Sequence, residues 1–373
     1  PLLRENPESV RGQLKTAVRE HSNLFGINPL GIWLPECAYY EGLDQLLIEA
    51  GLRYAILDGH GILHANPRPK YGLYAPICSS KGVAFFGRDS ESTLPVWSAK
   101  DGYPGDPVYR EFHKDLGWEI PMEDLRKIGI KQRRPLGLKL YKVTNQSFPL
   151  NKKEPYDYIL ASKKIKEHAS KYIKERKLQL NSLEKIIDNK PLLVAPFDAE
   201  LFGHWWFEGP EFLAELFKQA NKQEITFTRL IDVLKSTPNL QLCEPSASSW
   251  GQGGYHNYWL NESNSWVVIE WNKASEAIIE RCNCESSNKK NKRVLNLAAK
   301  QLLLAQSSDW SFILRAGTTT ELAEERINKH LKRFWMLIKL IDSKDNNEKS
   351  IIEEIEKEDL VFPLINYKDW TSI

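Results

Sequence analysis

No stretch of about 18 consecutive apolar residues occurs in the 373-residue chain, so no segment reads as a transmembrane helix. Net charge is nearly absent as well. Lys and Arg number 51 against 49 Asp and Glu, and the resulting +2 excludes the broad field that nucleic acid or an anionic membrane would require. Cysteine is scarce: Cys37, Cys78, Cys243, Cys282 and Cys284 are odd in number and scattered, which reads as reduced thiols in a cytoplasmic protein. Gly251-Gln252-Gly253-Gly254 runs into aromatics rather than into a helix with Lys-Ser/Thr, so it is no phosphate cradle. A Ser-centred nucleophile elbow is missing too. Cys282-Asn283-Cys284 has the wrong spacing for a zinc knuckle, and His60 and His64 lack a matching carboxylate cluster, so no metal site is expected. What is present is an ordinary globular composition, 42% apolar and 27% charged, which rules out a disordered chain. The length suits two domains, or one large domain with an appendage. Aromatics are the exception to the scarcity: 12 Trp, 14 Tyr and 14 Phe fit a surface that stacks on rings, with core packing as the alternative. Pro1 neither initiates a chain nor opens a targeting segment, so the sequence is expected to be a fragment without its N-terminal part.

Residues 8–22 carry a helical pattern. Gly31-Ile32-Trp33-Leu34-Pro35 then forms a short apolar run ending in Glu36, followed by a helix over about 41–50 that Gly51 closes. Arg53-Tyr54-Ala55-Ile56-Leu57 reads as the next strand, ending in Asp58. Strand, helix and strand with short joins imply parallel pairing. The pattern returns later: Pro191–Phe197 reads as a buried strand ending in Asp198, and Pro210 opens a helix to about Ala220. Thr228 is placed to cap one more helix, through Lys235. Residues 59–150 are rich in Gly, Pro and aromatics with little periodicity, the mark of an inserted subdomain or lid. A basic amphipathic helix over 156–178 turns Ile165, Ala169, Tyr172 and Ile173 inward. Beyond about 240 a Gly/Trp/Asn-rich loop (250–266) gives way to helices near 273–283, 293–307 and 320–341, with a charged, exposed segment at 342–359. The predicted fold is therefore α/β: residues 1–240 form an incomplete parallel barrel with its insertion at 59–150, and 241–373 form a mainly α-helical C-terminal domain contributing to the cleft.

In parallel barrels the reactive groups sit on the loops after strand C-termini. Glu36, Asp58 and Asp198 meet that rule, with Glu200 close behind. Two carboxylates on separate strand ends suit glycosidic chemistry, one attacking the anomeric carbon and the other protonating the leaving oxygen. Acidic residues at strand ends also cap helices or pair with Arg, so spacing alone leaves both readings open.

The surrounding residues narrow this. Trp33-Leu34-Pro35-Glu36-Cys37-Ala38-Tyr39 and Ala195-Pro196-Phe197-Asp198-Ala199-Glu200-Leu201-Phe202-Gly203-His204-Trp205-Trp206-Phe207-Glu208-Gly209-Pro210 resemble two signature segments of glycoside hydrolase family 57. Ser249-Trp250-Gly251-Gln252-Gly253-Gly254-Tyr255 through Trp259 is similar to its later tryptophan segment. The likeness extends through Val96-Trp97-Ser98, Gly102-Tyr103-Pro104-Gly105-Asp106 and Tyr109-Arg110-Glu111-Phe112, and it is greatest to the family's 1,4-α-glucan branching enzymes.

The resemblance implies a (β/α)7-type barrel and a retaining mechanism without a cofactor. Glu36 would be the nucleophile that forms a β-linked glucosyl-enzyme, and Asp198 the acid and then the base. The substrate would be an α-1,4-glucan such as amylose, with no nucleic acid or membrane partner, and the acceptor a 6-hydroxyl that must outcompete water. The inserted stretch is the candidate lid against water. Further positions carry over beside their plainer alternatives. Arg110 resembles a substrate-contacting arginine, or else stabilises the insertion through an ion pair. Trp250 and Trp259 match tryptophans lining the glucan cleft, or else pack in the core. Asp309 resembles a substrate-binding aspartate, or else is a helix N-cap. Gly137 would let a sugar approach the backbone, or is a turn glycine. Trp118 and Tyr103 read as pocket walls or as insertion core, and His204 as an orienting partner of Asp198 or as a structural histidine. The family's two early signature segments would lie before Pro1, so this piece alone is expected to be poorly stable and inactive. The competing outcomes are a 4-α-glucanotransferase or α-amylase of the same family, and a non-catalytic glucan-binding homologue.

Overall fold

In a computed structural model the described residues are 1–98, 100–284, 289–341 and 348–372. The chain opens with α1 (Pro7–Phe25), β1 (Gly31–Trp33), α2 (Leu43–Glu49), β2 (Tyr54–Leu57) and α3 (Gly59–Leu63). Next come β3 (Ile77–Cys78) and β4 (Ala84–Gly87), then α4 (Ser90–Trp97), α5 (Met122–Lys127), α6 (Tyr158–Leu183), α7 (Gly209–Lys222) and α8 (Leu230–Ser236). After β5 (Gln241–Leu242) the chain is helical: α9 (Ser265–Asn283), α10 (Lys289–Ala305), α11 (Ser308–Ala316), α12 (Thr320–Ile341) and α13 (Glu348–Glu358). None of these helices is long and apolar enough to cross a membrane.

The chain divides into two compact units. The first joins residues 1–72, 76–87 and 239–373; the second holds 73–75 and 88–238. Among the described residues the strands lie in the first, in one sheet of order β1-β2-β4-β3-β5. β1 runs parallel to β2 with Ile32 opposite Ala55, and β2 runs parallel to β4 with Ile56 opposite Phe86. The expected βαβ unit is thus present. Its third parallel strand, Ala84-Phe85-Phe86-Gly87, lies inside the stretch read as an insertion from residue 59, and all four residues are buried. β3 departs from the parallel pattern by pairing antiparallel with β4, because only the short turn between Ser79 and Val83 separates them.

Helices α9 to α13 share one apolar core. Trp271, Ala274 and Ile278 of α9 recur at helical spacing and meet Leu295, Ala298 and Leu302 of α10 and Ile327, Leu331 and Phe334 of α12. Ile352 and Ile355 of α13 are buried in the same core, so the segment read as exposed from 342 to 359 contributes an apolar face; residues 342–347 lie outside the described ones. α1 packs on the C-terminal turn Tyr367–Trp370. Arg11 Nη2 donates to the Thr371 carbonyl at 2.8 Å, and Arg19 Nη2 lies 2.7 Å from Asp369 Oδ2.

In the second unit α6 buries Ala161, Ile165, Ala169, Tyr172 and Ile173 as the amphipathic pattern requires. Asp157 caps it, accepting from the Ile159 and Leu160 amides at 2.8 and 3.2 Å. α6 and α7 close a core with Trp206, Tyr109 and Phe212. Two expectations fail here. Residues 191–197 are no regular strand: Pro191 and Pro196 have no amide hydrogen to give, and the segment keeps only isolated bonds such as Leu192 N to Tyr74 O at 2.9 Å. α8 is capped at Arg229, one residue beyond Thr228, with no side-chain cap bond.

Candidate active site

Glu36 follows β1 at its C-terminal end, within the 3-10 turn Pro35–Cys37. Both Glu36 (φ 57°) and Cys37 (φ 51°) take the left-handed conformation that L residues avoid at about 1–2 kcal/mol each. The turn is held from several sides. Cys37 N donates to Leu34 O at 2.8 Å and Ala38 N to Pro35 O at 2.9 Å. The Cys37 side chain is fully buried (0% exposed), and its sulfur accepts from Trp33 Nε1 at 3.0 Å. Proline before the elbow pre-sets one backbone angle, which explains why Trp-Leu-Pro-Glu-Cys folds so tightly. The Glu36 side chain meets a tryptophan. Trp250 Nε1 donates to Glu36 Oε2 at 2.6 Å, while the Trp250 amide donates to the Glu36 carbonyl at 2.9 Å. The Trp33 ring stands at 90° to that of Trp250, 5.1 Å away. This pair of bonds grips both ends of one residue.

A cavity of about 260 Å³ opens beside Glu36, walled largely by apolar side chains such as Leu14, Leu34 and Trp271, with His256 and Gln306 among its polar groups. Trp259 lines it but is itself interior (5% exposed), pressed on Gly251, where a Cβ would stand 2.4 Å from its ring. Trp259 is thus packed as well as lining, and its face is not on the surface. Asp309 is exposed in the first turn of α11; Ser307 is the N-cap and donates through Oγ to Asp309 Oδ2 at 2.7 Å, so Asp309 is not the cap. Asp58 caps α3, accepting from Gly59 N at 2.5 Å, which is the plain alternative for a strand-end carboxylate.

The second unit carries the other group. Asp198 precedes the 3-10 turn Ala199–Leu201 and makes no side-chain cap bond there. Burial pushes its carboxyl above the usual Asp range, and the neighbouring Glu200 charge adds to the rise. Arg110 is held by its backbone, whose amide donates to Glu208 Oε1 at 3.0 Å. Its guanidinium lies 3.4 Å over the Phe207 ring and 4.6 Å from that of Tyr156, a stacked setting. Glu208 is buried, and burial raises its carboxyl while the Tyr156 hydroxyl and the Arg110 amide counter that rise.

Gly137 is a turn glycine at φ 74° whose amide is given to Asp115 Oδ2 at 2.9 Å. Asp115 also accepts from Gly117 and Leu136, and these amides with Lys139 hold it below the usual range against its own burial. Trp118 is half exposed (52%) on the same loop. Tyr103 is interior (7% exposed), stacked on His168 at 4.4 Å, which makes it insertion core and not a pocket wall. His204 is exposed and meets Phe112 and Trp205 edge-on; its ring contacts give no hydrogen bond to Asp198. The sequence reading did not single out Glu208, Phe112 or Trp205. Phe112 and Trp205 stack at 4.7 Å with Trp205 half exposed (52%), a ring surface that the consecutive aromatics His204–Phe207 could have flagged. Among the described residues no group of three His, Cys, Asp or Glu is arranged to hold a metal ion.

Comparison with known proteins adds an independent line. The profile described as glycosyl hydrolase family 57 matches residues 1–244, and that of "1,4-alpha-glucan branching enzyme, C-terminal" matches 270–370. A 1,4-alpha-glucan branching enzyme of Thermococcus kodakarensis is 30% identical over 97% of this chain and 56% of its own length. The chain thus spans about half the length of the curated relatives it matches. Among solved structures, the alpha-amylase AmyC of Thermotoga maritima superposes at TM-score 0.90 with 36% identity, over 99% of this chain and 70% of that one. A family 57-type branching enzyme of Pyrococcus horikoshii does so at 0.83 with 30% identity, over 98% and 68%.

Proposed function

The chain belongs to glycosyl hydrolase family 57, and from that premise we propose that it is a retaining α-glucan branching enzyme with Glu36 as nucleophile and Asp198 as acid and base. The observation that carries the reading is the Glu36 elbow, a strained carboxylate gripped through both its carbonyl and its Oε2 by Trp250. Strain kept at one residue by surrounding contacts is what a preorganised nucleophile needs.

In the proposed reaction Asp198 starts protonated, which its raised pKa favours, and gives its proton to the glycosidic oxygen of an α-1,4 bond. Glu36 attacks the anomeric carbon as that bond breaks, forming a β-linked glycosyl-enzyme. Asp198, now ionised, takes the proton of an acceptor 6-hydroxyl, and that oxygen displaces Glu36 to leave an α-1,6 bond. Two inversions give net retention, and a retaining pair works at roughly 5–5.5 Å between carboxyls. Trp250, Trp259, Arg110, Trp118, Gly137, Asp309 and His204 are proposed to bind or frame the glucan, Arg110, Trp250 and Trp118 through their flat faces and Trp259 by backing the wall from the interior. Tyr103 supports that surface from the core. The substrate is an α-1,4-glucan of the storage type, and the five free cysteines suit a cytoplasmic setting.

Hydrolysis is the second reading, favoured by the likeness to the Thermotoga α-amylase. The two outcomes differ in their bookkeeping of bonds. Transfer conserves the number of glycosidic linkages, whereas each hydrolysis creates one new reducing end. Incubation of the intact protein with amylose should therefore yield new α-1,6 linkages, counted by NMR or after debranching, with almost no rise in reducing ends. Reducing ends that accumulate without α-1,6 linkages would establish the hydrolase.

A further inference from the structure

The loop that delivers Trp250 is not fastened to Glu36 alone. It turns back on itself, Ser249 N donating to the Gly254 carbonyl at 2.9 Å and Gly254 N to Gly251 O at 2.9 Å. Two of its glycines, Gly253 (φ 77°) and Gly254 (φ 79°), take the left-handed region, where a chain has much freedom to lose on ordering. A tether from elsewhere in the fold is therefore expected, and the first turn of α3 supplies it. His60 Nε2 lies 2.6 Å from the Gly254 carbonyl, a contact spanning 194 residues of sequence. A carbonyl only accepts, so Nε2 carries the proton that closes the bond. The opposite ring nitrogen, Nδ1, stands 3.6 Å from Asp58 Oδ1, and Asp58 is itself fixed by the Gly59 amide. A Cβ on Gly254 would come within 3.1 Å of the His60 ring, so the imidazole lies flush on that glycine. Next to His60, the Gly61 carbonyl accepts from Ser246 N at 2.9 Å. The segment 246–254 is thus docked on α3, and His60 is the side chain that latches its far end.

We infer that His60 is a positioning residue, which holds the Trp250 loop through the Gly254 carbonyl and so fixes the indole that grips the Glu36 carboxylate. The inference rests on the reading of Glu36 as nucleophile only for its kinetic consequence; the mechanical coupling stands on the contacts alone. The order of action is His60 to Gly254, Gly254 to Trp250, and Trp250 to Glu36. Glutamine can place its side-chain amide near the position of Nε2, whereas alanine leaves the Gly254 carbonyl to the Ser249 amide alone.

The test uses the full chain labelled with 15N at its indole nitrogens. The resonance missing in Trp250→Phe assigns Trp250, whose short bond to a carboxylate should place it downfield. In His60→Ala that one resonance should move upfield or broaden while the other assigned indoles hold still, which also shows the fold intact. His60→Gln should restore it. An unmoved Trp250 resonance in His60→Ala overturns the inference, as does failure of glutamine to restore a resonance that did move. Kinetics separates this from the underlying reading. His60→Ala should lower kcat on amylose about tenfold to a hundredfold with KM little changed, and in a Trp250→Phe background the same change should cost almost nothing further. Full additivity of the two substitutions overturns the coupling even if Glu36→Gln is inert. Turnover retained in Glu36→Gln overturns the reading of the nucleophile and leaves the spectroscopic result as it stands.

Discussion

At Glu36 and Cys37 two successive L residues sit at positive φ, each disfavoured by about 1–2 kcal/mol, and a buried thiol and an indole hold them there. Asp198 is adjusted differently, by loss of water and by the charge of Glu200. The raised pKa means that its protonated form is the one folding favours. That increment of stability is fully present below the ordinary Asp range and is lost as pH rises through the raised value. The same shift has a kinetic sign. Glu200→Gln removes a negative charge, makes ionisation of Asp198 easier and lowers its pKa, so less of the proposed acid is protonated at a given pH. The basic limb of the kcat/KM profile should move to lower pH while the acid limb stays. A basic limb that stays put, or moves up, would show that Glu200 does not act on the acid. Both carboxylates stand out in the sequence as candidates because each follows an apolar run and sits in a long motif. The setting of the rings around them was not. Tyr103 and Trp259 have the composition of a sugar platform, yet which face of a ring meets solvent is decided by partners far along the chain, such as His168 and Gly251.

Elements were legible where periodicity and caps agree. α6 shows its buried stripe in the sequence, and α7 opens at the Gly-Pro step that announces it. β4 was hidden because a four-residue apolar strand has no period of its own, and the Gly- and Pro-rich residues around it look like loop. Pro191–Phe197 misled in the opposite sense, being apolar enough for a strand but short of amide hydrogens. The docking of α1 on the C-terminal turn was invisible, since Gly12 and Trp370 are separated by almost the whole chain. A Cβ on Gly12 would stand 2.4 Å from the Trp370 ring, which is fully buried. Gly12→Val should therefore destabilise the first unit by about 1–3 kcal/mol, through overpacking rather than helix propensity, which valine satisfies better than glycine. Urea unfolding followed by tryptophan fluorescence reads this as a lower midpoint. A midpoint equal to or above that of the parent would mean that the turn does not press on α1.

For the molecule as a whole, the family, the α/β architecture and the helical C-terminal region follow from sequence and fold together, while in the proposed mechanism the outcome is set by what reaches the glycosyl-enzyme first. The division of labour between Glu36 and Asp198 is the claim on which branching and hydrolysis alike rest, and stereochemistry tests it directly. Glu36→Ala and Asp198→Ala would each be given an activated α-glucan donor, an α-glycosyl fluoride, together with azide. With the nucleophile removed, azide attacks from the vacated face and the product is the β-glycosyl azide. With the acid and base removed, azide displaces Glu36 from the β-linked intermediate and the product is the α-glycosyl azide. Opposite anomers from the two variants are the expected result; the same anomer from both, or the two anomers exchanged, would contradict the assignment.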